Sequence, residues 1–386
     1  MVPKKRDEER VSSVQRLLER EACDALVCCE PRHVLMLSGY WPMSGSAWAI
    51  ATREGRVELV VPEDELELAS ASWADAVYTF RPTSLDCLDG VTVAVREPLA
   101  RALATTDAET IGYEHVASLE PSTEASHFSY GEVGHEIIRA AAPRAALVRA
   151  DAWLEHLRLR KTRAELDGIR AVCRLAGVAY GAGVRAIVAG VTERMIAAAF
   201  EAAFEAAAPT DARARAFFHC MSGPNASEAH RAYHRSRSRR IEPGDVVLVH
   251  SSSTLDGYWT DLTRTYVLGK TDGVSRRLEA VAAAREAALA RVMPGVEARA
   301  VDAAARDVVD AWGFGPEFRG ATGHGVGYAA EDREERPRLH PRSSDVLEIG
   351  MTCNVEPGLF RRGVYGVCHS DMIAVGPDRC EVLSPF

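Results

Sequence analysis

Along the first third of the chain, helix-like and strand-like hydrophobic patterns alternate. A helix from Asp7 to Glu21 leads into the apolar run Ala25 to Cys29. A second apolar segment, Ala47 to Ala51, precedes a turn at Glu54-Gly55, with Val57 to Pro62 as its strand partner. Gly90 to Val95 and Ile111 to Tyr113 read as further strands. Such alternation predicts a small α/β domain. The stretch from Arg149 to Lys161 is charged and helical without a strong apolar face, which sets a boundary between domains at 1–155 and 156–386. Thr162-Arg163-Ala164-Glu165 is a capping box that opens a new helix. Leu166, Ile169, Cys173 and Ala176 follow at three- and four-residue spacing as one buried stripe. Helices are expected at Glu193–Ala206, Ser275–Arg291 and Ala298–Trp312, and the remainder of this half is strand-like.

Polar groups sit inside those apolar strands at four places. Asp245-Val-Val-Leu-Val-His250 ends one strand at His250, and the turn signal Asp256-Gly257 leads into a second strand carrying Asp261 and Arg264. A hairpin then brings His250 and Asp261 to one face. Gly323-His324-Gly325-Val326-Gly327 holds a histidine where the backbone can be approached closely. Cys353-Asn354-Val355-Glu356-Pro357-Gly358 puts a carboxylate at the end of an apolar strand, and His369-Ser370-Asp371 interrupts another. Singly, a histidine on an apolar strand is most often a hydrogen-bonded core residue, and a Glu before Pro-Gly can be a turn residue. Together they point to a site, because buried imidazoles and carboxylates need one another or a metal as partner.

Composition narrows the class. A chain of 386 residues with 47% hydrophobic positions can bury a core in each of two domains. The net charge of -9 argues against a nucleic-acid footprint. The one basic run, Arg235 to Arg240 beside His234, reads as a solvated loop that can also attract an anion. The charged start MVPKKRDEERV is unlike a signal peptide, and no run reaches the roughly 20 apolar residues of a membrane span. Nine scattered cysteines without a CxxC pair fit reduced thiols. A cytoplasmic protein without membrane partners is expected. Trp41, Trp48 and Trp259 are expected to be packing residues.

The segments SGPN followed by His230, DGYWTDLTRT (Asp256 to Thr265), GHGVG, MTCNVEPG and HSDM, in this order, resemble the pita-bread family of creatinase, prolidase, aminopeptidase P and methionine aminopeptidase. The resemblance spans essentially the whole chain. It implies a creatinase/prolidase-like N-terminal domain, a catalytic domain of curved antiparallel sheet with flanking helices, and a homodimer. The metallopeptidases of that family hold two divalent ions with Asp, Asp, His, Glu and Glu. Here those positions fall at His250, Asp261, His324, Glu356 and Ser370, so the first carboxylate and the bridging one are replaced.

Two readings follow from the altered set. In one, His250, Asp261, His324 and Glu356 hold a single ion such as Mn, Fe or Zn. In the other the site is metal-free, as in creatinase, and the same side chains bind substrate. Strand alternation turns His369 and Asp371 away from the face of Ser370. His230 matches the family's proton-transferring histidine, with His234 as its rival. The segment Tyr328 to Pro337 lacks the second histidine of the proline peptidases, and Tyr40 to Ser46 lacks the arginine that anchors creatine. The expected function is a hydrolase of a C–N bond (amide, dipeptide or amidine) in a small substrate, with His230, His324, Glu356 and Asp261 as catalytic residues. The alternatives are an Xaa-Pro dipeptidase or aminopeptidase with one ion, a lyase, or an inactive peptide-binding relative.

Overall fold

Residues 4–43, 46–115, 131–230, 236–270, 273–330 and 336–386 are described by the structure, a computed structural model. The chain divides into two compact units: Met1–Arg158 with Thr162–Ala164, and Leu159–Lys161 with Glu165–Phe386.

The N-terminal unit is built on six strands: β1 (Ala25–Cys28), β2 (Trp48–Thr52), β3 (Val57–Pro62), β4 (Ala76–Phe80), β5 (Thr110–Tyr113) and β6 (Ala146–Arg149). They form one mixed sheet in the order β4-β3-β2-β1-β5-β6. β1, β2 and β3 are buried along their whole length, as expected of strands covered on both faces. The helix Glu8–Arg20 buries Val11, Val14, Leu17 and Leu18, and the Asp7 side chain caps it by accepting from the Arg10 amide. Leu99, Leu103, Ile137 and Ile138 from two further helices pack with Val27, Ile50 and Ile111.

Two expectations need correction in this unit. Val91–Ala94 is a helical turn leading into the helix Arg96–Ala104, not a strand. Of the run, Val95 is fully buried and Val91 and Ala94 pack against the core while Val93 stays exposed, so packing overrides the β-preference of valine. The helix Asp151–Leu159 does have an apolar face, since Leu154 and Leu157 are buried.

A buried polar knot holds the start of the helix Pro31–Ser38. Glu114 accepts from the backbone amides of Cys29 and Glu30, and its second oxygen lies 2.5 Å from His33 Nδ1. Arg158 lies 2.6 Å from His33 Nε2. Cys28, His33 and Glu114 bring ligand-type atoms within 4.8 Å of one another. Because the guanidinium donates to Nε2, the ring proton sits on Nδ1 and goes to Glu114, so the knot is a structural relay rather than a ligand set. Burial raises both the Glu114 carboxyl and the Cys28 thiol.

The second unit carries the long antiparallel strands β7 (Ala214–Ser222), β8 (Val246–Leu255) and β9 (Tyr258–Val267). Asp256 and Gly257 link β8 to β9 at φ 50° and 88°, the two left-handed positions of a tight hairpin turn. Shorter strands follow: β10 (Thr352–Val355), β11 (Gly358–Arg361), β12 (Tyr365–Cys368), β13 (Asp371–Val375) and β14 (Cys380–Val382). β10 pairs with β13, and isolated bridges Thr263↔Ser370 and Gly325↔Cys353 tie the strand groups together. The helices Arg163–Gly183 and Glu193–Ala207 bury Ile169, Cys173, Phe200 and Phe204 with Phe218, Val249 and Leu262 of the sheet. Val274–Arg291 and Ala298–Ala311 pack with Cys353, Val355, Val367 and Ile373.

Arg264 and Asp371 lock β9 to β13. The guanidinium donates to Asp371 Oδ1 at 2.8 Å and to the carbonyls of Thr263, Ser370, Ser384 and Phe386, over the Phe386 ring. Arg285 donates to the other Asp371 oxygen. Burial alone would raise the Asp371 carboxyl. The His369 hydrogen bond and the Arg264, His369 and Arg285 charges outweigh it and hold the carboxyl well below its ordinary range. The stabilisation is therefore complete above the ordinary carboxylate range and is lost as pH falls below it. Asp371→Asn leaves a buried guanidinium without its counter-charge and should lower stability by about 3–5 kcal/mol in denaturant unfolding at neutral pH. That deficit should shrink in acid.

Candidate active site

The face of β7–β8–β9 opposite the helices is a small grid of side chains. Its three rows are Phe217, Ser252 and Asp261; His219, His250 and Thr263; and Met221, Leu248 and Thr265. Directly opposed residues of antiparallel strands share a face, so these nine project together. His250 lies inside β8 rather than at its end, where hairpin pairing continues past it. Its Nδ1 is 3.1 Å from Thr263 Oγ1 and 3.7 Å from Asp261 Oδ1.

His324 and Glu356 complete the group. His324 Nε2 lies 3.6 Å from Asp261 Oδ2 and 3.9 Å from Glu356 Oε1. His250 and Asp261 are fully buried, whereas the His324 and Glu356 side chains keep 17% and 15% exposure and form the more open side of the group. The geometry thus brings His250, Asp261, His324 and Glu356 together.

Asn354 decides the protonation pattern of His324. Its carbonyl accepts from the His324 amide at 2.8 Å, so its NH2 group is the one 3.1 Å from Nε2. His324 Nδ1 is 3.0 Å from the Gly325 carbonyl. Nδ1 therefore carries the proton, and Nε2 is an acceptor turned toward two carboxylates. Asp261 and Glu356 flank that nitrogen at 3.6 and 3.9 Å, and a cation held there would have to take the lone pair from the Asn354 N–H.

Ser370 sits where the bridging carboxylate of the family pattern falls. It is buried, with its amide on the Thr263 carbonyl and its hydroxyl 3.2 Å from the Asp261 carbonyl. His369 instead joins the Arg264 cluster, with Nε2 3.3 Å from Asp371.

His230 follows the SGPN turn, which is organised by buried Glu193. That carboxylate accepts from the Ser222 amide and hydroxyl, the Asn225 side chain and the Arg237 amide at 2.7–2.9 Å. His230 Nδ1 is 3.0 Å from the Ser227 carbonyl, and its ring packs on Phe360, which clusters with Met221 and Leu248 of the grid. Arg239 is bound to Asp245, so part of the basic run is structural. His234 and Arg235 lie outside the described residues, as do Glu331 and Glu334.

His219 and Asn354 are polar members of the site that sequence reasoning missed. Finding His219 requires the β7–β8 register, which no turn signal encodes. Asn354 was visible inside an apolar strand, two positions before Glu356. The thiols nearby are not nucleophiles: burial pushes Cys173 and Cys353 up to about 12, and all nine cysteines are free.

Fold and site define the class as a two-domain pita-bread hydrolase. Residues 167–377 match the model of metallopeptidase family M24, and residues 10–160 match the creatinase/prolidase N-terminal domain. The chain belongs to metallopeptidase family M24, and its chemistry is hydrolysis at a C–N bond. It is 25% identical to an Xaa-Pro dipeptidase of Pyrococcus furiosus over 97% of both chains. It is 33% identical to the probable dipeptidase PepE of Mycobacterium tuberculosis over 58% of each. The solved prolidase of Pyrococcus horikoshii superposes with a TM-score of 0.76 at 24% identity, covering 98% of both chains. The X-Pro aminopeptidase of Thermotoga maritima gives 0.78 at 21% identity, covering 96% of this chain and 98% of that one. Divalent metal use is the general chemistry of such a family. Among the described residues, no helix is long and apolar enough to cross a membrane.

Asn354→Ala should lower kcat/KM for hydrolysis by about 10–100-fold, the usual cost of removing a partner that orients a ligand. Steady-state kinetics beside a denaturation curve checks this, with the unfolding transition remaining cooperative.

Proposed function

We propose that the chain is a dipeptidase of the Xaa-Pro type with one divalent ion, held by Asp261, His324 and Glu356 with His250 at its inner side. The observation that carries this is the charge of the donor set. The family pattern of four carboxylates balances two divalent cations. Here Asp261 and Glu356 supply two negative charges and two imidazoles supply none, which balances one. Replacement of the bridge by Ser370 points the same way, because two cations a few Å apart need a shared anion. The relatives' dipeptidase activity supports the substrate class. When bound, the ion supplies Lewis-acid polarisation and a more acidic water.

The chain's own residues do the rest. Asp261 is fixed by its strand and by burial, so it defines the inner wall. Glu356, whose side chain keeps 15% exposure, is the carboxylate that would take a proton from the attacking water. His230 has its proton on Nδ1, toward Ser227, which makes Nε2 its acceptor nitrogen. It can take up a proton there and deliver it to the leaving nitrogen. Mn, Fe and Zn all suit a mixed imidazole and carboxylate set. We also propose a homodimer, following the resemblance, and a cytoplasmic enzyme, on the scattered free cysteines.

Metal analysis of the purified protein should find one equivalent of divalent ion per chain. Hydrolysis of an Xaa-Pro dipeptide should stop with chelator and return on adding Mn or Zn. Two equivalents would overturn the single-ion site. Activity indifferent to chelator would favour the creatinase-like reading. Asp261→Asn should lose the ion and the activity together.

A further inference from the structure

His219 has no role in the reading above, yet it stands in the middle row of the site grid. It is the direct cross-strand partner of His250, with ring centroids 6.3 Å apart and planes 16° from parallel. The two rings lie side by side along the row, and His219 stands one strand further from Asp261 than His250 does, a candidate recognition group at the edge of the site. In contrast to buried His250, it is partly exposed, so a bound molecule can touch it.

We propose that His219 binds the carboxylate end of the substrate, a proposal that rests on the dipeptidase reading of the same site. The distances suit it. β7 lies two strand spacings from β9, about 10 Å, and His219 stands one row from Asp261, about 7 Å along the strand. That gap accommodates a scissile carbonyl held near Asp261, the roughly 4 Å from it to the terminal carboxylate, and one hydrogen bond. The chemistry suits it as well. His219 and His250 are the only side-chain N–H donors in the grid, and an imidazole offers an N–H in either charge state. The row His219, His250, Thr263, Ser370 contains no carboxylate, although both replaced ligand positions lie in it. Asp261 lies 3.7 Å from His250, so an anionic group at the His219 end of the row stands one strand further from that charge.

The test uses an Xaa-Pro dipeptide and its C-terminal amide with the metal-loaded full chain. His219→Phe keeps a ring that suits a strand but removes the donor, and His219→Gln restores an N–H. The Phe variant should raise KM for the free acid by about tenfold with kcat within about twofold, the signature of lost uniform binding. The amide should be hydrolysed as by the parent chain, and Gln should recover most of the loss. Equal changes on both substrates, or none, overturn the proposal. So does a loss that tracks acetylation of the amino end, which would place His219 at the other terminus. If the Phe variant does not fold, His219→Ala takes its place. If the parent chain hydrolyses neither substrate, the dipeptidase reading fails on its own. Calorimetric binding of proline against prolinamide then decides the carboxylate question, and absence of a preference for proline in the parent chain overturns it.

Discussion

The contact on which the site depends is the buried ion pair between Arg264 and Asp371. Asp261 belongs to the β7–β8–β9 sheet, whereas Glu356 follows β10, which pairs with β13 and not with β9. What brings them together is the bridge Thr263↔Ser370, with Thr265 bonded to Cys368 and the Ser370 hydroxyl to the Asp261 carbonyl beside it. The junction would be weak on these contacts alone. Arg264 clamps it by donating to Asp371 and to the carbonyls on either side of the junction, while Asp371 is also held by Arg285 and the Ser384 hydroxyl. The charges are out of water, so the arrangement holds only while every partner is present. The side chains of the candidate site are thus held by a cluster on the other face of the same strands.

Much of this could be read from the chain. Asp256-Gly257 dictated the hairpin, and period-two alternation placed His250 and Asp261 on one face while turning Arg264 to the other. The same alternation separated His369 and Asp371 from Ser370. What stayed hidden depends on long-range register. His219 lies among Arg, Phe and Cys in β7, and only its pairing with β8 shows that it faces the site and not the Phe200 core. Gly90 to Val95 misled because valine-rich composition is shared by strands and by short helical turns, and the choice is made by which residue reaches the core. The buried face of the helix Asp151–Leu159 was masked by its charges, since three buried leucines, Leu154, Leu157 and Leu159, suffice to dock a helix of that length.

The site itself has an inner and an outer half. His250 and Asp261 are held by ladder hydrogen bonds and complete burial. His324 comes from a glycine-rich segment without regular structure, and Glu356 from the end of a short strand. Asn354 compensates for this difference. It bonds the His324 backbone in both directions and presents its amide to the ring, so the outer imidazole is held as firmly as a strand residue. A mobile histidine would lose several degrees of rotational freedom on engaging an ion or substrate, and orienting it beforehand removes that cost.

Exchange of two carboxylates changes more than the number of ions such a site can balance. A carboxylate about 5 Å from a substrate anion repels it by about 3 kcal/mol at an effective dielectric of 20, so two of them without their second cation would expel the anionic end of a dipeptide. Losing the ion therefore requires losing the carboxylates, or the substrate class must change with it. In this chain both replacements fall in one row of the grid, at His250 and Ser370, with His219 at its far end. A single row has been cleared of negative charge and furnished with imidazoles, while Asp261 and Glu356, on either side of His324, keep theirs. In the proposed reading that division separates the two tasks of the site: the retained carboxylates hold the cation, and the neutralised row admits the substrate's anion.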